Sequence, residues 1–267
     1  MNNPCHPHAP NWARAQAAPS ALIQLLCVWA GPVFLVVYGA FFWPVAGFLP
    51  PSPPSWTAAQ TAAFYAEHTT AIRVGQIGAL IASVLLIPFW AVISGQIARI
   101  ERAHRGRPPV LALAQFGGAI LLQVFFVLCG MFWIIATFRP ELDPAAVRLL
   151  HDAGWLMFVM VFPGYVLQMC CVGIAALSDD GPRPVWPRWA GYLSFWVGAG
   201  GAGGGIAVFF KSGPFAWNGI VGFYLPVLLF VGWVITMAGL MHAGIKRQAE
   251  EDGTPRPSTE RESAGVR

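Results

Sequence analysis

Six apolar runs, at about residues 21–48, 72–98, 110–138, 146–177, 188–210 and 217–243, constrain this chain more than any other feature. Each is long enough to cross a hydrocarbon layer roughly 30 Å thick as a helix rising about 1.5 Å per residue. A backbone inside lipid must satisfy its own hydrogen bonds, so such runs are expected to be helical. Of the residues, 56% are hydrophobic and only 10% charged, against roughly 25% charged in a soluble domain. The expectation is an all-α, polytopic membrane protein, a six-transmembrane-helix bundle over 21–243 with the lipid bilayer as its surroundings. A chain of 267 residues leaves no room for a sizeable soluble domain. The polar segments 1–20 and 244–267 are expected to be disordered cytoplasmic tails. Arg14 precedes the first run as in a signal peptide. An apolar stretch of about 28 residues, however, far exceeds an h-region of roughly 7–15, so the first run is expected to remain as a span.

Alternate loops differ in basic charge. Arg14, Arg99, Arg102, Arg105, Arg107, Arg183, Arg188 and the five basic residues from Lys246 to Arg267 fall on one side, whereas Arg73, Arg139, Arg148 and Lys211 fall on the other. The positive-inside rule places the richer side, and with it both termini, in the cytoplasm. Nearly all the basic residues are Arg, a bias that points to a bacterial inner membrane. On the outer side, residues 50–70 read PPSPPSWTAAQTAAFYAEHTT. A stiff proline turn is expected there, followed by a short surface helix over 56–68 that Ser55 or Thr57 can cap. Trp56, Phe64 and Tyr65 are its expected interfacial anchors.

Several chemistries are excluded. Lys211 and Lys246 lie at span ends, so no mid-membrane lysine can form a retinal Schiff base. No two histidines sit at one depth on facing central positions, as bis-histidine haem requires. Metalloprotease, nucleophile-elbow and P-loop signatures are absent. Cys27, Cys129, Cys170 and Cys171 lie in apolar runs and read as small buried hydrophobes. The Cys5-His6-Pro7-His8 cluster belongs to the polar tail, where metal binding would be adventitious. No metal, cofactor, catalytic residue or nucleic-acid partner is therefore expected. Residues 198–203, GAGGAG, match the dinucleotide fingerprint in form only, because they lie mid-span without a preceding strand. The Gly200–Gly205 segment instead offers a close-packing surface for a partner membrane helix, or a break in the span. Pro32, Pro163 and Pro226 are expected to kink their spans.

The stretch RLLHDAGWLMFVMVFPG, residues 148–164, supplies the one acid inside an apolar helical run, Asp152. Counting back ~20 residues from Leu177 puts the hydrocarbon boundary near Phe158 and Asp152 about 9 Å outside it. The same count places Arg73, Lys211, Trp217 and Asn218 at a similar height, with His151 and Trp155 on the helix that carries Asp152. One reading of this stratum is a belt of interfacial residues that snorkel, cap or pair. The other is an outward-facing polar pocket among the second, fourth and sixth spans, roofed by the 56–68 helix. In it Arg73 or Lys211 attracts an anionic group, His151 and Asp152 bind or move a proton, and Arg73 rather than Arg148 is the inward partner of Asp152. The function expected is binding, or passage across the membrane, of a small amphipathic or anionic molecule. The alternatives are an accessory subunit that packs through Gly200–Gly205 and a membrane enzyme with His151 as acid–base.

Overall fold

The computed structural model describes residues 21–103, 108–139 and 141–253. The Cys5-His6-Pro7-His8 cluster and the chain beyond 253 lie outside them. Six helical segments are long and apolar enough to cross a membrane: Ala21–Val45, Thr69–Arg102, Val110–Phe138, Pro144–Ser178, Arg188–Phe209 and Ile220–Glu250. Among the described residues there is no strand. The chain forms an all-α, six-helix bundle.

Four of these spans are interrupted next to a proline, which explains where. A proline lacks the N–H that its helix would donate four residues back, and its ring crowds that carbonyl. The first span runs as α1 (Ala21–Ala40) and then widens into a π-turn, Phe41–Val45, which begins just past the residue four before Pro44. The second divides into α3 (Thr69–Ser83) and α4 (Leu86–Ala103), with an i→i+3 bond from Ile87 N to Val84 O at 3.1 Å, four residues before Pro88. In the fourth, α6 (Pro144–Val159) stops and α7 (Phe162–Ser178) starts around Pro163. The sixth opens with a π-turn, Ile220–Tyr224, before α9 (Leu225–Gly253), and Pro226 faces Gly222 in the same way. Pro32, by contrast, sits inside an uninterrupted α1, so the kink expected there takes the form of no break. The third span, α5 (Val110–Phe138), contains no proline and is unbroken. The fifth contains none either, yet α8 (Arg188–Gly201) tightens into a 3₁₀ segment, Ala202–Phe209, at the glycine run.

Successive spans are spatial neighbours, and the ring closes where the sixth packs on the first and fifth. The large apolar side chains left exposed, among them Leu22, Val36, Ile81, Leu128 and Leu228, point outward, as lipid-facing residues must. The glycine run that looked available to a partner helix is used by the chain itself. A side chain at Gly200 would meet Leu229, one at Gly201 the ring of Tyr165, and one at Gly204 the carbonyl oxygen of Val159. That face is occupied by the fourth and sixth spans, which the small residues let approach closely.

At one end of the bundle, α2 (Ala58–Glu67) lies across the fourth span and packs on α6. Thr57 caps it: its hydroxyl accepts from Gln60 N–H at 3.2 Å, and Thr57 N–H donates to Gln60 Oε1 at 2.9 Å. The capping box satisfies two amide groups that would otherwise lack partners.

Candidate functional site

The site is assembled around the loop between the first span and α2. Gly47, with φ of 72°, turns the chain back on itself in a conformation that side chains disfavour. Pro50, Pro51, Pro53 and Pro54 then stiffen the segment that bears Ser52. Rather than standing off the surface, this loop sits in the mouth of the bundle with Ser52 buried. Two hydrogen bonds pin it, and a third holds α2 to His151. Trp217 Nε1–H donates to the Ser52 carbonyl at 2.8 Å. The Ser52 hydroxyl lies 2.8 Å from His151 Nε2, and the Tyr65 hydroxyl 3.1 Å from His151 Nδ1.

His151 is 2% exposed, and among the described residues its ring nitrogens pair with these two hydroxyls. A neutral imidazole carries one N–H and one lone pair. One hydroxyl therefore donates to the ring and the other accepts from it, which leaves the accepting hydroxyl with a hydrogen of its own to give. Burial, with the charge of Asp152 adding to it, holds the Tyr65 hydroxyl well above the ordinary phenol range, so it stays protonated. Of the two hydroxyl residues, Ser52 lines the adjoining cavity.

That cavity measures about 430 Å³. Its walls are mainly aromatic: Phe48, Trp56, Phe64, Trp155 and Tyr224, completed by prolines of the loop. Its polar positions are Ser52, His151 and Asn218. The Trp56 ring lies nearly parallel to the imidazole, with 6.4 Å between centroids. Trp155 is 1% exposed, and its buried indole N–H has no acceptor among the described residues. Beneath it, Phe48, Trp133 and Trp155 pack edge to face or tilted at 4.8–5.8 Å. Trp133 can slide under α6 only because residue 154 is glycine, since a Cβ there would fall on the indole ring. The floor is thus rigid and apolar.

Of the residues expected to share this stratum, His151, Trp155 and Asn218 line the cavity, and Trp217 joins them through its bond to Ser52. The other three stand apart. Arg73 closes the end of α5, donating from Nε to Thr137 Oγ1 at 3.2 Å and from Nη2 to the Thr137 and Phe138 carbonyls. The last carbonyls of a helix lack intrahelical donors and carry its negative dipole end, so they, and not Asp152, take this guanidinium. The expected Arg73–Asp152 pair is corrected accordingly: Asp152 Oδ2 lies 3.8 Å from Arg148 Nε, with both side chains about one-third exposed. Lys211 is exposed in the turn before the sixth span. The second span contributes nothing to the lining; the loop after the first span takes its place.

Ser52 and the inward role of Tyr65 were not foreseen. A periodic signal did exist, because Thr61 and Tyr65 are four residues apart on one face of α2 and are the two buried positions of that helix. Among the described residues, no three His, Cys, Asp or Glu side chains come together as metal ligands. No protein-family model matches the chain, and no curated protein or solved structure is similar to it.

Proposed function

We propose that this multi-pass membrane protein binds a small amphipathic molecule in the Ser52–His151 cavity and serves in its capture or passage at the membrane surface. The observation that carries the reading is an aromatic-walled cavity of about 430 Å³ bearing the buried Ser52 and His151 and the half-buried Asn218, all neutral hydrogen-bonding groups. Ligand sites of this size are mostly apolar, with a few fixed polar groups that set orientation. The body of the ligand stacks on Trp56, Phe64 and Trp155, while one or two of its polar atoms meet Ser52, His151 and Asn218. An anionic ligand has less support than a neutral one, since Arg73 is spent on α5 and Lys211 does not line the cavity. The excess of basic residues on the opposite side supports a bacterial inner-membrane orientation with the cavity facing outward and both termini in the cytoplasm.

The test is a set of three aromatic amphiphiles of matched apolar body carrying an alcohol, a carboxylate or a quaternary ammonium group, each added to the purified full chain in nanodiscs. The alcohol should raise the melting temperature most, and His151→Phe should abolish that rise while Lys211→Gln leaves it intact. A carboxylate that stabilises best, and does so only with Lys211 present, would overturn the neutral-ligand reading.

A second reading rests on the 2.8 Å Ser52–His151 contact itself, which has the reach of a nucleophile and its base. With Nδ1–H donating to Tyr65, Nε2 would take the Ser52 proton as the serine oxygen attacks a carbonyl carbon. A fluorophosphonate probe tests it: the Ser52 oxygen bonds to phosphorus, fluoride leaves and the proton passes to His151. Labelling lost in both Ser52→Ala and His151→Phe supports a membrane enzyme, and a wild-type chain that is never labelled contradicts it.

A further inference from the structure

At the opposite end of the bundle, three arginines from three separate elements line one small cavity. Arg99 comes from the end of α4, Arg183 from the loop between the fourth and fifth spans, and Arg247 from the last turns of α9. With Pro184, Val185, Gly244 and Gln248 they enclose about 60 Å³, roughly the share of two liquid water molecules. A tetrahedral oxyanion is of this scale.

Contacts other than those among the arginines hold these elements in place. Gln96 and Gln248 exchange amide hydrogen bonds at 3.0 and 3.4 Å, clasping the second span to the sixth. The loop that carries Arg183 is anchored by Trp186, which is fully buried. Asp179 folds its start, its carboxylate oxygens accepting from Gly181 N–H at 3.3 Å and Val185 N–H at 2.7 Å. That carboxylate is thereby engaged by the loop backbone. Gly244 keeps the remaining wall low, since the nearest atom to a side chain placed there would be the Val185 carbonyl oxygen at 3.7 Å. All three arginines are exposed, while the backbone beneath them is fixed. Acidic residues stand near in sequence, Asp180 in the loop and Glu250 three residues beyond Arg247, so the positive charge of the site is tempered.

Arginine presents its N–H donors in a planar fork that fits phosphate oxygens two at a time. Basic pockets between transmembrane helices are where phosphate headgroups of lipids lodge. We propose that this cavity binds a phosphate group, carried by an anionic lipid of the adjacent leaflet or free as inorganic phosphate. Its three arginines come from the second span, the loop between the fourth and fifth, and the sixth span, so an occupant would tie those three parts of the bundle together at this end.

The experiment uses the full chain in detergent, compared with Arg99→Gln/Arg183→Gln/Arg247→Gln. A second variant, Arg139→Gln/Arg148→Gln, removes basic residues from the other end. Native mass spectrometry after incubation with equimolar phosphatidylglycerol and phosphatidylcholine reads the lipid arm, and thermal stability in millimolar inorganic phosphate reads the free-ion arm. Wild type and the control variant should retain phosphatidylglycerol at least tenfold over phosphatidylcholine, and the triple variant should lose most of that preference. A phosphate-induced rise in melting temperature that disappears only in the triple variant would also support the site and assign the free ion as its occupant. Gly244→Leu keeps all three charges but fills the cavity and should lose the preference as well. The proposal is overturned if the triple variant selects phosphatidylglycerol as well as wild type and neither variant changes the response to phosphate, or if the control variant loses as much.

Discussion

The two ends of the bundle spend their hydrogen bonds differently. Around the Ser52 cavity the groups are neutral, and they tie the loop after the first span, α2 and the start of the sixth span to one another and to α6: Ser52 and Tyr65 on His151, and Trp217 on the Ser52 carbonyl. At the other end, beside the neutral Gln96–Gln248 pair, the carboxylates attend to backbone amides. Glu101, from the second span, accepts from Leu111 and Ala112 N–H at 2.8 and 3.0 Å. It serves the first amides of α5, whose N-cap, Pro109, has no side-chain acceptor. Buried neutral groups cost less to desolvate than charges, so they can line a space without demanding that it be filled by a counter-ion. The first arrangement suits reception of a ligand, and the second fixes helix ends.

This contrast can be broken most severely from below the cavity. Gly154→Leu would drive a side chain into the Trp133 indole, an overpacking that costs about 3 kcal/mol. Thermal unfolding in detergent should show it, with protection of amide hydrogens falling first in α2 and the 46–57 loop. Loss confined to the opposite end would separate the floor from the site it is said to support.

The next effect is the pin on the loop. Ser52→Ala and Tyr65→Phe each leave one nitrogen of a buried imidazole unpaired, at about 1–3 kcal/mol. Because both act on the same ring, the double variant should cost clearly less or more than the sum. Strict additivity in unfolding free energy would mean that the two hydroxyls are not coupled through His151.

Glu101→Ala tests the other side of the comparison. It removes the side-chain cap of α5 and should cost about 1 kcal/mol, while leaving amphiphile-induced stabilisation unchanged. A loss of ligand response there would show that the two ends are linked.

The smallest effect is expected at Asp152. Its pair with Arg148 is one-third exposed and spaced i,i+4, so Asp152→Asn should cost about 0.3–0.5 kcal/mol and less as salt is added. In double-variant cycles it should couple to Arg148→Gln and add independently to Arg73→Gln.

How these groups distribute explains what could be read from the chain beforehand. Apolar length alone yields the spans, and of the prolines expected to kink them Pro163 and Pro226 do mark discontinuities, whereas Pro32 lies in an unbroken helix and the irregularities before Pro44 and Pro88 were not expected. Depth is likewise a one-dimensional count, and it places His151, Trp155, Trp217 and Asn218 at the height where they are found together. Position around the bundle is not local. Arg73 and Lys211 share that height, yet one turns to the end of α5 and the other to the surface. Ser52 was hidden because a proline-rich segment reads as a turn, and nothing local tells that it folds inward onto a buried histidine. The Gly200–Gly205 run was legible as a close-packing face, but only the tertiary arrangement shows that the fourth and sixth spans already cover it.

The central claim is that the Ser52–His151 end encloses a discrete ligand site. Its most direct measurement is quenching of tryptophan fluorescence in the nanodisc-embedded full chain by a brominated, neutral aromatic amphiphile. Trp56 and Trp155 line the cavity, so a bound heavy atom lies against them. Wild type should show a saturable phase above the linear rise from partition into lipid, and Asn218→Phe, which fills the cavity, should abolish that phase. Purely linear quenching, the same in wild type and Asn218→Phe, would contradict the account.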